Sequence, residues 1–187
     1  MNRLQTKYQE QVIPALQKEF GRTNIMSVVK PKKVVVNVGV SKKESADTNK
    51  AIESWAQQLS IITGQKAKVT AAKKSIAGFK IRQGDPIGLC VTLRGTRMWE
   101  FLDKLISVAL PRVKDFQGVG RSHMDAAGNY NFGVTEQIVF PEINYDMVHK
   151  VSGLQITIVN SGNDRDESLK MLELLGMPFT KEQTDKN

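Results

Sequence analysis

The sequence predicts an α+β protein in which helices cover one face of a single β-sheet and leave the other face open. Helical and strand-like apolar patterns alternate along the 187 residues. Each predicted strand places apolar side chains on one face and small or polar side chains on the other. Helices interleaved with such strands therefore have an apolar surface to cover on only one side of the sheet.

The length and composition indicate one globular domain. A chain of 187 residues is close to the usual domain size of roughly 150. We expect this domain over residues 1–179, followed by a polar tail over 180–187. The single cysteine, Cys90, excludes an internal disulfide framework and a metal site of several cysteines. Without a secretory leader or a membrane-spanning apolar run, we expect a cytoplasmic protein with no membrane partner.

The N-terminal third predicts two helices separated by a strand. Apolar residues recur at every fourth position over Leu4–Phe20, which indicates an amphipathic helix that Pro14 kinks or restarts. The alternation of Lys33–Val40 indicates the first strand. A second helix follows the possible cap Asp47 and ends at Gly64.

Two strands flank a long polar loop in the middle of the chain. One strand is predicted near Lys66–Ala71, and a clean alternation indicates another over Ile87–Arg94. The residues between them, Lys73–Pro86, contain glycines and end in Asp-Pro, which is typical of a loop. A loop of this length is usually either functional or disordered.

The C-terminal half predicts two helices, three strands and a second long loop. The helices run from the cap Thr96 to Pro111 and from the cap Asp164 to Gly176. Residues 112–128 form the second long loop. The predicted strands are Tyr130–Val134, Gln137–Phe140 and Leu154–Asn160.

Positive charge is concentrated in the N-terminal half. The chain has 27 lysines and arginines against 19 acids, and residues 1–97 contain 18 of these cations but only 6 of the acids. Between Glu53 and Asp85 there are six cations and no acid. This distribution favours a binding surface for a polyphosphate, because each neutralised phosphate releases a counterion. A basic surface that serves only solubility is the alternative.

The predicted open face completes a platform for RNA. Sheets that bind RNA usually stack bases on exposed aromatic side chains. No aromatic residue occurs at the open positions here, so we expect contacts to sugar, phosphate and RNA shape instead. The open positions are Asn37, Thr92, Arg94, Gln155 and Thr157.

No motif indicates catalysis, a metal or a cofactor. The chain has neither a phosphate-binding loop nor a dinucleotide fingerprint. Its two histidines, His123 and His149, are far apart and lack partner motifs, and Cys90 lies in an alternating strand. We therefore expect no catalytic residue, no metal and no cofactor. The alternative is a nucleic-acid-processing enzyme that uses His123, Asp125 or His149.

Several segments resemble one known family when they are taken together and in order. These segments are Val36–Gly39 (VNVG), Thr63–Lys66 (TGQK), Lys73–Gly84 (KKSIAGFKIRQG), Val91–Gly95 (VTLRG), Arg97–Leu102 (RMWEFL) and Gly128–Ile143 (GNYNFGVTEQIVFPEI). In this order and spacing they resemble the bacterial form of the large-subunit ribosomal protein L5 family, and the resemblance runs from about Tyr8 to Phe179.

The resemblance implies a structural, non-catalytic protein in the central protuberance of the large ribosomal subunit. It implies an antiparallel sheet with helices on one side, in agreement with the face pattern. The implied partners are 5S rRNA, 23S rRNA, the P-site tRNA, a protein of the small-subunit head and neighbouring large-subunit proteins. An RNA chaperone or regulator outside the ribosome is the alternative.

The resemblance also implies which residues meet these partners. Contacts with 5S rRNA are expected at Asn37, Gln65, Thr92, Arg94, Lys33 and Lys66. A loop facing the P-site tRNA is expected over Lys73–Gly84, with contacts at Lys73, Lys74, Ser75, Gly78, Phe79, Lys80 and Arg82. The bridge between subunits is expected in the loop near Arg112–Asn129, at Arg112, Lys114 and Arg121.

Two positions need a separate interpretation. We expect Phe79 and Ile81 to pack and give the first loop its shape, with contact to an RNA surface as the alternative.

The sequence departs from the family pattern at Lys68, which stands where the family commonly has an apolar residue.

Overall fold

The structure is a computed structural model that describes residues 2–40, 48–145, 148, 151–162 and 164–180. Its strands are β1 (Pro31–Gly39), β2 (Lys68–Ala71), β3 (Pro86–Leu93), β4 (Tyr130–Val134) and β5 (Leu154–Asn160). They form one antiparallel sheet in the order β2-β3-β1-β5-β4. The predicted α+β class with a single antiparallel sheet is therefore confirmed.

Five helices accompany the sheet within the described residues. They are α1 (Arg3–Lys7), α2 (Ile13–Phe20), α3 (Thr48–Thr63), α4 (Gly95–Lys104) and α5 (Arg165–Leu175). The predicted cap Asp47, the histidine His149 and the tail beyond Thr180 lie outside the residues that the structure describes.

The first predicted helix is interrupted before Pro14, as expected. A π-helical turn over Tyr8–Val12 separates α1 from α2, whose first turn contains Pro14. Because proline has no N–H, the carbonyl of Glu10 four residues earlier loses its α-helical donor, and a local change of winding accommodates this loss.

The strand predicted over Gln137–Phe140 is wrong. Gln137–Val139 form a 3-10 turn instead, and the side chain of Gln137 is fully buried. Its Oε1 accepts a hydrogen bond from the amide of Ser152 at 2.7 Å. Gln137 and Val139 are therefore buried in a turn and not in a strand.

The described residues divide into two compact units. The first comprises residues 2–33, 94–132 and 157–180, and the second comprises residues 34–93 and 133–156. In the first unit, α1 packs against α4 and α2 against α5. In the second unit, α3 packs against β3 and β2, so one face of these strands is covered.

The covered face of the second unit has the apolar residues that the alternation predicted. The buried side chains are Val34, Val36 and Val38 of β1, Leu89, Val91 and Leu93 of β3, and Ile52, Trp55, Leu59 and Ile62 of α3. The residues between them along β1 and β3 therefore point to the uncovered face.

The first unit contains an ion pair between a buried carboxylate and a partly exposed arginine. Glu167 of α5 is only 1% exposed, and its carboxylate accepts hydrogen bonds from the Arg22 guanidinium at 3.1 Å and the Val29 amide at 3.4 Å. The Tyr8 hydroxyl donates to the Val29 carbonyl at 2.8 Å. Burial, and to a lesser extent the charge of Glu167, raise the pKa of Tyr8 to about 12. This network attaches the segment between α2 and β1 to α5.

Candidate nucleic-acid interface

The register of three strands brings polar side chains into one row on the uncovered face of the second unit. Asn37 of β1 pairs with Cys90 of β3, which in turn pairs with Lys68 of β2. Paired residues on adjacent antiparallel strands point to the same side of the sheet. Asn37 and Lys68 are exposed, and Cys90 is half-buried.

The row Asn37–Cys90–Lys68 has a pair of side chains on one side and a pair of glycines on the other. Val35 pairs with Thr92, and both are half-buried. On the other side, Gly39 pairs with Gly88, and a Cβ added to Gly88 would stand 2.5 Å from the Val38 carbonyl oxygen. A Cβ on Gly39 would have no heavy atom within 4 Å. Gly88 is buried and the Thr70 hydroxyl oxygen would lie 3.2 Å from a Cβ at Gly88, so this position has no room for a larger residue, whereas the space beside Gly39 is open.

Lys33 and Arg94 belong to the first unit and extend the same two strands. Lys33 lies in β1 and is half-buried. Arg94 directly follows β3 and is exposed.

Gln65 has a structural role that the sequence did not reveal. Its side-chain amide donates to the Thr92 carbonyl at 3.2 Å, and its own backbone carbonyl accepts from the Thr63 hydroxyl at 3.1 Å. These bonds attach the connection between α3 and β2 to the neighbouring strand β3. The next residue, Lys66, is exposed.

Lys68 is an exposed cation of this face that the predicted site omitted. The signal was present, because Lys66, Lys68 and Thr70 alternate through the predicted strand. What was missing was the register that places Lys68 beside Cys90. No aspartate or glutamate occurs in β1, β2 or β3. A phosphate on this face would therefore meet cations and neutral polar groups without a carboxylate from these strands.

The loop Lys73–Gly84 is closed at its base by hydrogen bonds. The Ala72 amide donates to the Asp85 carbonyl at 2.8 Å, and the Gly84 amide donates to the Ala72 carbonyl at 3.0 Å. Inside the loop, the Ser75 hydroxyl accepts from the Gln83 amide at 2.9 Å. The four predicted cations of the loop are all exposed: Lys73, Lys74, Lys80 and Arg82.

The packing expected for the apolar residues of this loop is wrong for Phe79. Its side chain is 59% exposed, whereas Ile81 is half-buried. Phe79 lies in the 3-10 turn Ala77–Phe79 at the tip of the loop, whereas Ile81 forms an antiparallel bridge with Ile76.

Of the three predicted bridge residues, two are exposed and one is paired within the chain. Arg112 and Lys114 are exposed. Arg121 donates to a Glu173 carboxylate oxygen at 3.3 Å, and its guanidinium carbon lies 5.7 Å from the centre of the Phe179 ring. The charge of Arg121 is therefore already balanced within the chain.

Asp125 has a structural role in the second long loop. Its carboxylate accepts hydrogen bonds from the amides of Ala127 at 3.0 Å and Asn129 at 2.7 Å and from the Asn129 side chain at 2.9 Å. These bonds hold the pKa of Asp125 below its usual range, and the bond from the Asn129 side chain has the largest effect. Such a carboxylate stabilises a turn and is a poor base.

The part of the chain that the structure describes contains neither a cluster of metal ligands nor a helix that could span a membrane. Across residues 2–40, 48–145, 148, 151–162 and 164–180, no three or more histidine, cysteine, aspartate or glutamate side chains come together as a metal site. Over the same residues, every helix is too short or too polar to span a bilayer.

Comparison with known proteins gives matches to both parts of the chain. Residues 24–82 match the family described as Ribosomal protein L5, and residues 86–179 match the family described as the C-terminus of these ribosomal proteins. The chain is 52% identical over 181 residues to "Large ribosomal subunit protein uL5" of Thermoanaerobacter sp. (strain X514), covering 97% of this chain and 100% of the relative. The protein of the same name from Caldanaerobacter subterraneus subsp. tengcongensis is 53% identical with the same coverage.

Proposed function

The chain belongs to the ribosomal protein L5 family, and on this premise we propose that it is a structural constituent of the large ribosomal subunit that binds 5S rRNA. The observation that carries the proposal is the row Asn37–Cys90–Lys68 on a sheet face whose strands contain no acid. The chain needs no catalytic group for this function.

The chemistry of the face supports contacts to the RNA backbone. Asn37 and Thr92 carry uncharged donors and acceptors that suit ribose 2′-hydroxyls and phosphate oxygens. Arg94 suits bidentate binding of a phosphate, and Lys33, Lys66 and Lys68 add point charges. Gln65 supports this surface through its bond to the Thr92 carbonyl.

We extend the proposal to the other partners implied by the family. The exposed cations of the loop Lys73–Gly84 contact the P-site tRNA. Arg112 and Lys114 contribute to a bridge with a protein of the small-subunit head. Arg121 supports that loop through Glu173. Further surfaces meet 23S rRNA and neighbouring proteins in the central protuberance.

Replacing Asn37 and Arg94 together tests the proposed 5S rRNA site. Asn37→Ala with Arg94→Ala should lower the affinity for 5S rRNA about 10- to 100-fold, because a neutral and a charge-assisted hydrogen bond are lost. Fluorescence anisotropy with labelled 5S rRNA in magnesium buffer measures the change. A matched control, Gln11→Ala with Lys18→Ala, removes an exposed amide and an exposed cation elsewhere and should leave the affinity unchanged. Equal affinities of the two double variants would refute the site but leave the family membership intact.

The single cysteine provides a test without any substitution on the face. Cys90 lies half-buried between Asn37 and Lys68. Bound 5S rRNA should therefore slow the alkylation of Cys90 by iodoacetamide about tenfold or more at saturation, since the free fraction limits the reaction. Mass spectrometry of quenched samples follows the reaction. An RNA of similar length that does not compete with 5S rRNA is the control, and equal rates with and without 5S rRNA would contradict the proposal.

A further inference from the structure

The segment between α2 and β1 contains a turn that four local hydrogen bonds hold together. Ile25–Ser27 form one turn of 3-10 helix after Asn24, whose side-chain oxygen accepts from the Met26 amide at 2.9 Å. The amide and the hydroxyl of Ser27 donate to the Asn24 carbonyl at 3.0 Å and 2.7 Å. The Val28 amide donates to the Ile25 carbonyl at 3.3 Å. These bonds define the shape of the turn from within.

The rest of the first unit fixes the chain on both sides of this turn. Before the turn, the Arg22 guanidinium pairs with the Glu167 carboxylate at 3.1 Å. After it, Val29 is buried, and the Lys30 amide donates to the Ser161 hydroxyl at 2.9 Å. The Lys30 carbonyl accepts from the Ser161 amide at 2.8 Å. The turn is therefore attached to α5 and to the residue that follows β5.

The turn presents two adjacent apolar side chains to solvent. Ile25 is 57% exposed and Met26 is 80% exposed. Among the described residues of the first unit, these two are the exposed large apolar side chains. The next apolar residues along the chain, Val28 and Val29, are buried. Because the hydrogen bonds of the segment hold Ile25 and Met26 outside the core, a partner is required to remove them from water.

The charges of the segment favour RNA as this partner. Six cations and no acid occur between Glu19 and Glu44. Lys30 is exposed, and Glu167, the acid that bonds this segment, is buried and already paired with an arginine. A nucleic acid offers phosphates to lysines and apolar ribose and base surfaces to side chains such as isoleucine and methionine. The methionine sulfur also makes favourable contacts with aromatic rings.

We propose that Ile25 and Met26 form an apolar contact with the ribose and base surfaces of 5S rRNA, while Lys30 and Lys32 bind phosphates beside it. The inference rests on the proposed binding of 5S rRNA and adds a contact outside the sheet face. We choose this RNA because the segment continues without interruption into β1, the strand that carries Asn37. The pair supplies affinity that does not depend on charge, in a chain whose other proposed contacts are polar.

Replacing both apolar side chains tests the contact directly. Ile25→Ser with Met26→Ser should weaken binding to 5S rRNA about tenfold or more, because the apolar surface that binding removes from water is lost. Fluorescence anisotropy with labelled 5S rRNA in magnesium buffer measures the change. Ile25→Val with Met26→Leu keeps the apolar surface and should bind within about twofold of the natural chain. A serine variant that binds as tightly as the natural chain would overturn the proposal.

A matched control removes exposed apolar side chains elsewhere. Ile61→Ser with Tyr145→Ser changes two such residues of the second unit and should leave the affinity for 5S rRNA unchanged. Because Ile25 and Met26 are exposed, the circular dichroism of their serine variant should match that of the natural chain. An equal loss of affinity in the control would overturn the proposal, because the effect would then be general to exposed apolar residues.

The salt dependence separates the apolar pair from the lysines beside it. The serine variant should bind more weakly at every salt concentration with an unchanged slope of log affinity against log salt, because an apolar contact releases no counterion. Lys30→Gln with Lys32→Gln should instead reduce the slope by about two. A reduced slope in the serine variant would overturn the apolar contact, since the turn would then act only by placing the lysines.

Photo-cross-linking identifies the partner of the turn. With p-benzoyl-phenylalanine at position 26, irradiation of assembled large subunits should join the chain to 5S rRNA. Cross-links found only on 23S rRNA or only on a protein would overturn the proposal.

Comparison with Asn37→Ala and Arg94→Ala separates this inference from the proposed function. A loss of 5S rRNA affinity in that double variant but not in the serine variant would refute the apolar contact and leave the site on the sheet face standing. A natural chain that does not bind 5S rRNA would refute the proposed function itself. Weaker binding in both variants supports two separate contacts with the same RNA.

Discussion

The affinity of the chain for 5S rRNA should fall about 10³- to 10⁵-fold when monovalent salt is raised from 50 to 200 mM, if about 6–10 phosphates are contacted. The physical reason is counterion release, since each phosphate neutralised by a lysine or arginine frees condensed cations from the RNA. Binding isotherms at constant magnesium concentration and increasing salt give the slope of log affinity against log salt.

Single substitutions show how much each residue of the face contributes to the slope of log affinity against log salt. Lys68→Gln and Arg94→Gln should each reduce the slope by about one, because each removes one phosphate contact. Asn37→Ala should lower the affinity at every salt concentration and leave the slope unchanged. Lys68 is the more informative of the two cations, since only the strand register places it in the row with Cys90. A nearly flat salt dependence of the natural chain would contradict an interface made mainly of phosphate contacts.

Arg22→Met should lower the free energy of unfolding by about 3 kcal/mol, because it leaves the buried carboxylate of Glu167 without its cation. We take the lower end of the usual range for a broken buried pair, since the Arg22 side chain is itself 42% exposed. Urea denaturation followed by circular dichroism measures the change.

Two further variants show whether the buried charge is the cause. Lys170→Met removes the cation from the exposed pair Lys170–Glu19 and should cost less than about 1 kcal/mol. Adding Glu167→Gln to Arg22→Met neutralises the buried carboxylate and should restore part of the lost stability. Equal costs for Arg22→Met and Lys170→Met would show that burial does not strengthen the Arg22–Glu167 pair.

The secondary structure followed from the sequence for several elements that have one buried face, but the helix predicted from Thr96 to Pro111 is α-helical only to Lys104 and continues as a π-helical turn. The strand β5 and the helix α5 have the bounds expected from alternation and from their caps Asp164 and Gly176. Gln137–Phe140 failed because periodicity records which side chains are buried and does not record what their polar atoms bond. The buried amide of Gln137 meets Ser152, fifteen residues away.

The candidate site was predictable residue by residue but not as a constellation. Alternation within a strand assigns Asn37 and Thr92 to the uncovered face, whereas their neighbours depend on pairing between strands. The register of β2 also shifts between Thr70 and Ala71, which no local pattern announces. The same limit applies to Arg121, whose partner Glu173 lies 52 residues further along the chain.

The buried Glu167 has a consequence for the order in which the chain becomes structured during synthesis. Arg22 and the Val29 amide emerge early from the exit tunnel, but their acceptor Glu167 is translated 145 and 138 residues later, respectively. Until then, the segment between α2 and β1 lacks its hydrogen bonds to Glu167. Contacts between residues so far apart in the sequence form slowly. Chains truncated before α5 should consequently leave α1 and α2 incompletely folded. The folding of the first unit is therefore completed only when its last helix, α5, has been translated.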